Sequence, residues 1–398
     1  MIDTDAVETV VDRVAELLRQ RIGLRPDPTL RGRLRRAVRD EATVHGHDLN
    51  TYATAVATGG HTLQSLLDRV TVQETAFFRH PEHFAVLARD ILPTLSPPVM
   101  IWSAACANGQ EAVSLAMVLE EQGIDGGVIA TDISSAALRR TTLGRYTTRE
   151  MSGLSAERIG KYLTRTGDAW EVGKQIRDRI STAYHNLLDP LPPEVRHCQV
   201  IFCRNVLIYL SPEHVRALLD RIADTFPPKT PLFLGAAETA WQFSDRFRAV
   251  PLDGTFIYRQ APVHKSSPAI AAPQRAPKPS EPARRPRPII QPERSDAVDQ
   301  AAALARIGQD AIAAGDFDAA VVAFRKCAYL LPHDPVAQLQ LGLALEAAGD
   351  ERSAQRAYAA ARSWLREAGP ADSVAGAEGY SPAELVRLLD SKQRRPAR

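Results

Sequence analysis

The sequence has few cysteines and almost no net charge, and both features narrow what the protein can be. Its formal net charge is +2 over 398 residues, which gives no general reason to expect binding to nucleic acid or to an acidic membrane. The cysteines have neither metal-site nor disulfide-framework spacing; they are Cys106, Cys198, Cys203 and Cys327. We therefore expect no metal site, and reduced thiols in a reducing compartment.

Long apolar runs are missing as well. No stretch approaches the roughly 18 residues of a membrane-spanning helix, so we expect no direct membrane insertion. The first residues are acidic, as Asp3, Asp5 and Glu8 show, whereas a signal peptide places basic residues before an apolar segment. Together these absences predict a cytoplasmic protein.

Composition and periodicity divide the chain into five predicted segments. Residues 1–75 place apolar side chains at helical spacing and predict a small helical domain. Residues 76–261 alternate β-branched runs with helical stretches, which predicts an α/β domain with a doubly wound, Rossmann-like sheet. Residues 262–297 are rich in proline and predict a linker. Residues 298–366 carry an internal repeat, and residues 367–398 predict a capping helix with a basic tail.

The α/β segment contains six candidate strands. These are Val99–Trp102, Gly127–Thr131, Ile180–Ala183, Val200–Cys203, Leu232–Gly235 and Thr255–Tyr258. The last one is expected near an edge of the sheet.

The internal repeat has a period of 34 residues, which is the tetratricopeptide period. The matched pairs are Gly308 and Gly342, Gly315 and Gly349, Ala320 and Ala354, and Phe324 and Tyr358. Small residues let two helices touch, and the aromatic residue fills the space between them. Two unrelated helical hairpins are the alternative.

Polar residues follow the candidate strands at positions where a buried strand would normally continue with apolar residues. Arg204 and Asn205 interrupt an apolar run that resumes before Tyr209. At the carboxyl edge of a parallel sheet such a pair faces the ligand crevice. A strand end whose polar residues satisfy a turn is the alternative.

The first strand leads through small residues and Gly109 into a helix that begins near Glu111. The three spaced glycines of a dinucleotide site are absent, which disfavours a pyrophosphate ligand. Asp132 ends the second strand, where a carboxylate can accept hydrogen bonds from both ribose hydroxyls. A ribose without a pyrophosphate site indicates S-adenosylmethionine. Helix-dipole stabilisation by Glu111 and helix capping by Asp132 are the alternatives.

Two further segments are candidates for binding. Residues 71–84 place adjacent aromatic residues before Arg79 and His80 at a domain junction. The alternative is a packed hinge helix with a solvated arginine. Asn186 follows the third strand and could hydrogen-bond an adenine edge, although a lone Asn is also a common turn residue.

Taken together, these motifs resemble the CheR family of chemotaxis-receptor glutamate methyltransferases over about residues 1–260. The resemblance is carried by TAFFRHPEHF, WSAACANGQEAVSLAM, ATDI, Asn186-Leu187 and FCRNVLIYL. It implies a small helical domain, a seven-stranded methyltransferase domain and S-adenosylmethionine as cofactor, with S-adenosylhomocysteine as product. A domain of this family followed by tetratricopeptide repeats is a known chemosensory architecture.

The resemblance also implies roles for particular residues. The implied cofactor contacts are Gln73, Thr75, Arg79, Glu111, Asp132, Asn186, Leu187, Arg204 and Asn205. Arg79 and Tyr209 are the implied catalytic residues beside the sulfonium. The sequence departs from the family at Gln73, at Gln110 and at the run Gly235-Ala236-Ala237-Glu238.

The implied partners are the acidic cytoplasmic methylation helices of chemotaxis receptors, so the protein is expected to be recruitable to membrane receptor arrays. A basic helix from Pro28 to about His45 is a hypothetical docking surface for them, through Arg31, Arg35, Arg36 and Arg39. The repeats are expected to dock another signalling protein or to regulate the enzyme. Two alternatives remain open: methylation of another protein or small acid, and a cofactor-binding scaffold without catalysis.

Overall fold

The computed structural model describes residues 4–24, 28–235, 238, 240, 243–252, 255–261, 294–331, 334–367 and 382–393. Most of the predicted linker and the basic residues after position 393 lie outside this part of the chain. Within it, no helix is both long enough and apolar enough to cross a membrane.

The first four helices pack around one apolar core. Helix α1 spans Thr4–Ile22, α2 Pro28–Val44, α3 Leu49–Thr58 and α4 Gly60–Val70. Their apolar faces meet in a buried cluster that includes Val14, Leu34, Tyr52 and Val70. Removing these side chains from water supplies the main favourable term for docking the four helices together.

The α/β part continues with shorter elements. The helices are α5 Pro81–Val86, α6 Gln110–Glu121, α7 Ser135–Leu143, α8 Ala156–Tyr162, α9 Lys174–Arg177 and α10 Pro212–Thr225. The strands are β1 Val99–Ala104, β2 Gly126–Asp132, β3 Arg145–Thr147, β4 Leu163–Thr166, β5 Ala169–Val172, β6 Ile180–Tyr184, β7 Val200–Phe202, β8 Leu232–Phe233, β9 Phe247–Leu252 and β10 Thr255–Gln260.

Seven strands form the main sheet in the order β6-β2-β1-β7-β8-β10-β9. The five strands from β6 to β8 are parallel, which confirms the predicted doubly wound fold. Along β1, Ile101 and Trp102 point into different apolar clusters, so both faces of the sheet are covered. Strand β10 lies next to the edge, as predicted.

The sheet differs from the prediction at that edge. Strand β10 runs antiparallel to both of its neighbours, so the sheet is mixed. Only two residues separate β9 from β10, and a connection that short joins antiparallel strands. The sequence prediction also missed the small antiparallel sheet β3-β5-β4, whose strands of three or four residues are too short to show a period.

The order of the strands places a crevice at the carboxyl end of β1. Strand β1 lies between β2 and β7, so the chain continues on one side of β1 and later crosses to the other. At such a switch point the loops that leave neighbouring strands diverge and open a space.

The C-terminal part is helical. Helix α11 spans Arg294–Ala313, α12 Phe317–Leu330, α13 Pro335–Ala347, α14 Glu351–Glu367 and α15 Pro382–Gln393. Helix α11 therefore begins inside the predicted linker, and α15 lies where a capping helix was predicted. The division of the chain into five segments itself remains a prediction.

The two helical pairs have the same internal packing. Helices α11 and α12 pack together, as do α13 and α14. A side chain at Gly308 would collide with the ring of Phe324, and one at Gly342 with the ring of Tyr358. The matched glycines therefore allow the close helix contact that the 34-residue period predicted.

Candidate active site

One cleft lies at the carboxyl ends of the parallel strands, between the sheet and the N-terminal helices. The space between its walls is about 1060 Å³, a volume that includes open solvent. All ten residues predicted as cofactor contacts or catalytic residues line it. These are Gln73, Thr75, Arg79, Glu111, Asp132, Asn186, Leu187, Arg204, Asn205 and Tyr209. Their individual roles remain predictions.

The turn after β1 brings backbone close to the cleft. Ala105, Ala107 and Gly109 all have positive φ values, of 57°, 50° and 89°. A β-carbon at Gly109 would lie 2.5 Å from Oγ1 of Thr141, so this position requires glycine. Because the residues of the turn are small, a ligand can lie directly against its main chain.

Asp132 joins the ends of β1 and β2. Its Oδ2 accepts a hydrogen bond of 2.9 Å from the Ala107 nitrogen, and its Oδ1 accepts one of 2.8 Å from the Ser134 nitrogen. Burial raises the pKa of this carboxyl, and the backbone hydrogen bonds partly oppose that shift. The carboxylate does support the turn before α7, as the capping alternative proposed. The two carboxylate oxygens can accept further hydrogen bonds, so Asp132 can support the turn and still bind a ribose.

Arg204 and Glu111, which both line the cleft, form a largely buried ion pair. Nη1 of Arg204 donates to Oε2 of Glu111 over 3.2 Å, and the two side chains are 1% and 14% exposed. Ser103 Oγ donates to the other carboxylate oxygen over 2.8 Å. Nη2 of Arg204 donates to the carbonyl oxygen of Arg79. The pair thus connects the segment from β1 to α6 with the end of β7 and with the turn at Arg79. Removing one partner would lower the stability of the fold, because a lone buried charge is left behind.

The segment that carries Arg79 is a turn rather than a hinge helix. Phe77 and Phe78 are buried in the core beneath the sheet, and Phe78 and His80 have positive φ values of 48° and 59°. The Phe78 nitrogen donates to Ser114 Oγ over 3.0 Å. Arg79 is half-buried and lines the cleft. The two phenylalanines therefore anchor a strained turn that presents the guanidinium.

Several residues that line the cleft have a buried polar atom without a hydrogen-bond partner, and two of these residues carry side-chain amides. Among the described residues, neither Oε1 of Gln73 nor Nδ2 of Asn205 has such a partner. A buried donor or acceptor without a hydrogen bond destabilises the folded protein, so such atoms are natural partners of a bound ligand. Asn205 has a φ of 58°, and its turn therefore depends on outside support.

Glu238 supplies that support, and the sequence did not reveal its role. Its carboxylate accepts hydrogen bonds from the backbone nitrogens of Asn205, Leu207 and Gly235 over 2.7–2.8 Å. The side chain is buried, and burial raises its pKa. In the sequence, the run from Gly235 to Glu238 stood out only as a departure from a family pattern. The glutamate that this run retains was the available signal of its role.

Asn186 is already engaged within the protein. Its Nδ2 donates to the Arg21 carbonyl oxygen over 2.8 Å, and its Oδ1 accepts from the Leu188 nitrogen over 3.1 Å. The amide thus fixes the turn after β6 and holds it against α1. A contact with an adenine edge remains a prediction.

The four arginines predicted to face a receptor fall into two groups. Arg31 and Arg35 pair with Glu8 or Asp12 on α1, at distances down to 2.5 Å. The other two, Arg36 and Arg39, are exposed. A fifth arginine of α2, Arg33, lines the cleft and was not predicted as a site residue.

Tyr209 lies at the wall of the cleft and contacts the C-terminal helix. Its hydroxyl oxygen accepts a hydrogen bond of 3.0 Å from Nη1 of Arg387 on α15. The guanidinium carbon lies 5.4 Å from the centre of the Tyr209 ring. The two residues are 178 positions apart, so no local pattern could have indicated the contact.

Comparisons with known proteins agree with this geometry. Residues 73–256 match the family model described as CheR methyltransferase, SAM binding domain. The chain is 37% identical over 211 residues to Chemotaxis protein methyltransferase 1 of Pseudomonas aeruginosa, covering 49% of this chain and 77% of that protein. It is 35% identical over 205 residues to a Vibrio parahaemolyticus chemotaxis protein methyltransferase, covering 48% and 74%.

A third relative aligns over a longer stretch. The P. aeruginosa protein named Probable biofilm formation methyltransferase WspC is 28% identical over 260 residues, which cover 63% of this chain and 61% of the relative. The matches to the first two relatives cover about three quarters of each of those proteins. The chain belongs to the CheR family of S-adenosylmethionine-dependent methyltransferases.

Proposed function

We propose that this chain methylates glutamate side chains of chemotaxis receptors, giving γ-methyl esters and S-adenosylhomocysteine. The observation that carries the proposal is the position of Arg79 and Tyr209, which line the same cleft as the residues predicted to hold the cofactor. A guanidinium and a phenol are suited to bind a carboxylate, the first by charge and the second by hydrogen bonding.

The residues of the cleft fit S-adenosylmethionine. Asp132 would accept hydrogen bonds from the ribose hydroxyls, and the small residues of the turn after β1 leave room for the ligand. The buried amide atoms of Gln73 and Asn205 offer an acceptor and a donor to the amino-acid end of the cofactor. When bound, the cofactor supplies an electrophilic methyl group.

The protein's own residues then need to position an anion rather than remove a proton. A glutamate is ionised at neutral pH, since its reference pKa is about 4.3. Arg79 would orient the carboxylate and Tyr209 would hydrogen-bond it. Holding the two reacting groups in line can contribute on the order of 7–11 kcal/mol. Cys203, next to Arg204, is buried, and burial raises the pKa of its thiol well above the usual value, which disfavours it as a competing nucleophile.

The exposed part of α2 is the proposed receptor-docking surface. Arg36 and Arg39 remain available there, while Arg31 and Arg35 are paired within the domain. Arg33 on the same helix lines the cleft, so one helix extends from the wall of the cleft to the surface. An acidic receptor helix would meet positive charge along this path.

The test is transfer of labelled methyl groups from S-adenosylmethionine to the purified cytoplasmic domain of a candidate receptor. We expect label in the receptor that is released as methanol by base, because esters hydrolyse under these conditions. Label that resists base would indicate another acceptor. Binding of S-adenosylhomocysteine by calorimetry without any transfer to receptors or small acids would favour the non-catalytic scaffold.

A further inference from the structure

The C-terminal helix touches the methyltransferase domain at the short segment that carries Tyr209. Ile208 packs against the apolar cluster of the repeat helices, a cluster to which Leu385, Leu388 and Leu389 of α15 belong. Helix α11 lies against β9 and β10 at the sheet edge and provides a second contact. The helical part therefore docks on the methyltransferase domain at two places, one of which is next to the cleft.

Arg387 is the polar centre of the first contact. It is buried, although arginine is seldom buried without a specific partner. Its Nη1 donates to the Tyr209 hydroxyl over 3.0 Å, and its guanidinium carbon lies 5.4 Å from the ring centre. The guanidinium therefore contacts the hydroxyl directly and lies near the ring.

The direction of this hydrogen bond matters for chemistry. A guanidinium has donors and no acceptor, so Arg387 cannot receive the Tyr209 proton. The bond therefore engages the hydroxyl oxygen and does not use the proton that a carboxylate would accept. A cation at the oxygen also strengthens the hydroxyl as a donor, because it stabilises negative charge there.

The position of α15 argues against a role in which this helix simply blocks the cleft. None of the described residues that line the cleft belongs to α15, whereas Tyr209 does line the cleft. The helix therefore contacts Tyr209 without contributing to the lining of the cleft. A blocking helix would instead place its own side chains among those that line the cavity.

We propose that Arg387 is a positioning residue for methyl transfer, so that the C-terminal helix completes the substrate side of the active site. This inference rests on the proposed function in which Tyr209 binds the substrate carboxylate. Docking of the repeat helices would then be required for full turnover, and a partner that displaces α15 would lower the rate without removing the cofactor.

A double-mutant cycle tests this coupling in the full-length protein. Arg387→Met keeps the length of the stem and removes the donor, and Tyr209→Phe removes the acceptor. We expect each to lower turnover on the receptor domain roughly tenfold, and the double variant to be no slower than either single one. Affinity for S-adenosylhomocysteine should stay within about twofold of the parent in all three variants.

Two controls separate positioning from folding. Arg387→Lys retains a donor and should recover part of the lost rate. Arg356→Met makes the same kind of substitution at an exposed arginine of α14, which hydrogen-bonds Ser353 over 2.8 Å within the helical part, and should leave turnover unchanged. Multiplicative losses in the double variant would overturn the proposal, because they would mean that Arg387 acts independently of the hydroxyl. Faster turnover in Arg387→Met would overturn it in favour of autoinhibition.

A second readout is independent of methyl transfer. Thermal unfolding of the same four proteins should show a coupling energy between positions 209 and 387, because the contact exists without substrate. If the parent protein transfers no methyl group, the proposed function fails while this cycle still tests the contact. Absence of coupling in the unfolding cycle would overturn the docking itself.

Discussion

The two sides of the cleft are built in different ways. The side predicted to hold the cofactor consists of buried groups at adjacent strand ends, and Asp132, Glu111 and Arg204 are fixed by bonds within the methyltransferase domain. The side predicted to hold the substrate has the half-buried Arg79, which is also a predicted cofactor contact, and the half-buried Tyr209. The hydroxyl of Tyr209 is held by a helix 178 residues away. Cofactor binding should therefore be a local property, whereas substrate handling should depend on distant parts of the chain.

The largest effect should come from breaking the buried pair on the cofactor side. Arg204→Met leaves the Glu111 charge buried alone, and the free energy of unfolding should fall by about 3–5 kcal/mol in denaturant titrations. Adding Glu111→Gln should restore part of this loss, because the unpaired charge is then removed. The exposed pair of Arg19 and Glu16 gives the matched control, since Arg19→Met should change stability little. Equal losses from the buried and the exposed pair would refute the proposed difference.

Asp132 should control cofactor affinity without controlling the substrate side. Asp132→Asn keeps the shape of the side chain and removes its charge, so S-adenosylhomocysteine should bind about 10–100-fold more weakly in calorimetry. Because burial raises the pKa of Asp132, its charged form destabilises the folded protein as pH rises through that pKa. The amide variant should therefore lose less stability than affinity, as circular dichroism melts would show. Unchanged affinity would leave Asp132 as a turn-supporting residue only.

Replacing Glu238 should affect turnover and cofactor affinity to different extents, because this residue supports the turn that leads from Asn205 to Tyr209. In Glu238→Ala three backbone donors lose their acceptor, and turnover should fall more than cofactor affinity does. Glu238→Gln retains one side-chain oxygen and should recover part of the rate. Steady-state kinetics together with calorimetry give both quantities. A loss confined to cofactor affinity would contradict this assignment.

The smallest effect should come from the exposed face of α2. Arg36→Glu with Arg39→Glu should raise the KM for the receptor several-fold at low salt, and the difference should shrink as salt screens the charges. Affinity for the cofactor should not change. A KM that is unchanged at every salt concentration would remove α2 from the docking surface. Reversing Arg35 would be a poorer test, since it also breaks the ion pair with Glu8.

The sequence predicted the features that repeat or follow a local rule. Candidate strands such as Val99–Trp102 lie inside observed strands, and the residues expected at strand ends meet in one cleft. What it missed depends on contacts between distant segments. Glu238 and Arg387 act on other parts of the chain and leave no periodic trace. Arg31 and Arg35 looked like a free basic surface, because sequence alone does not show that α1 supplies their acidic partners.

The most direct test of the central claim is the chemical nature of the product that the receptor domain carries. We predict base-labile methyl label on glutamate residues with the parent protein, and strongly reduced label with Tyr209→Phe, although that variant binds S-adenosylhomocysteine normally. Mass spectrometry of the labelled peptides identifies the modified residue. Label on any other residue type, or equal labelling by the parent and by Tyr209→Phe, would contradict the proposed reaction at this cleft.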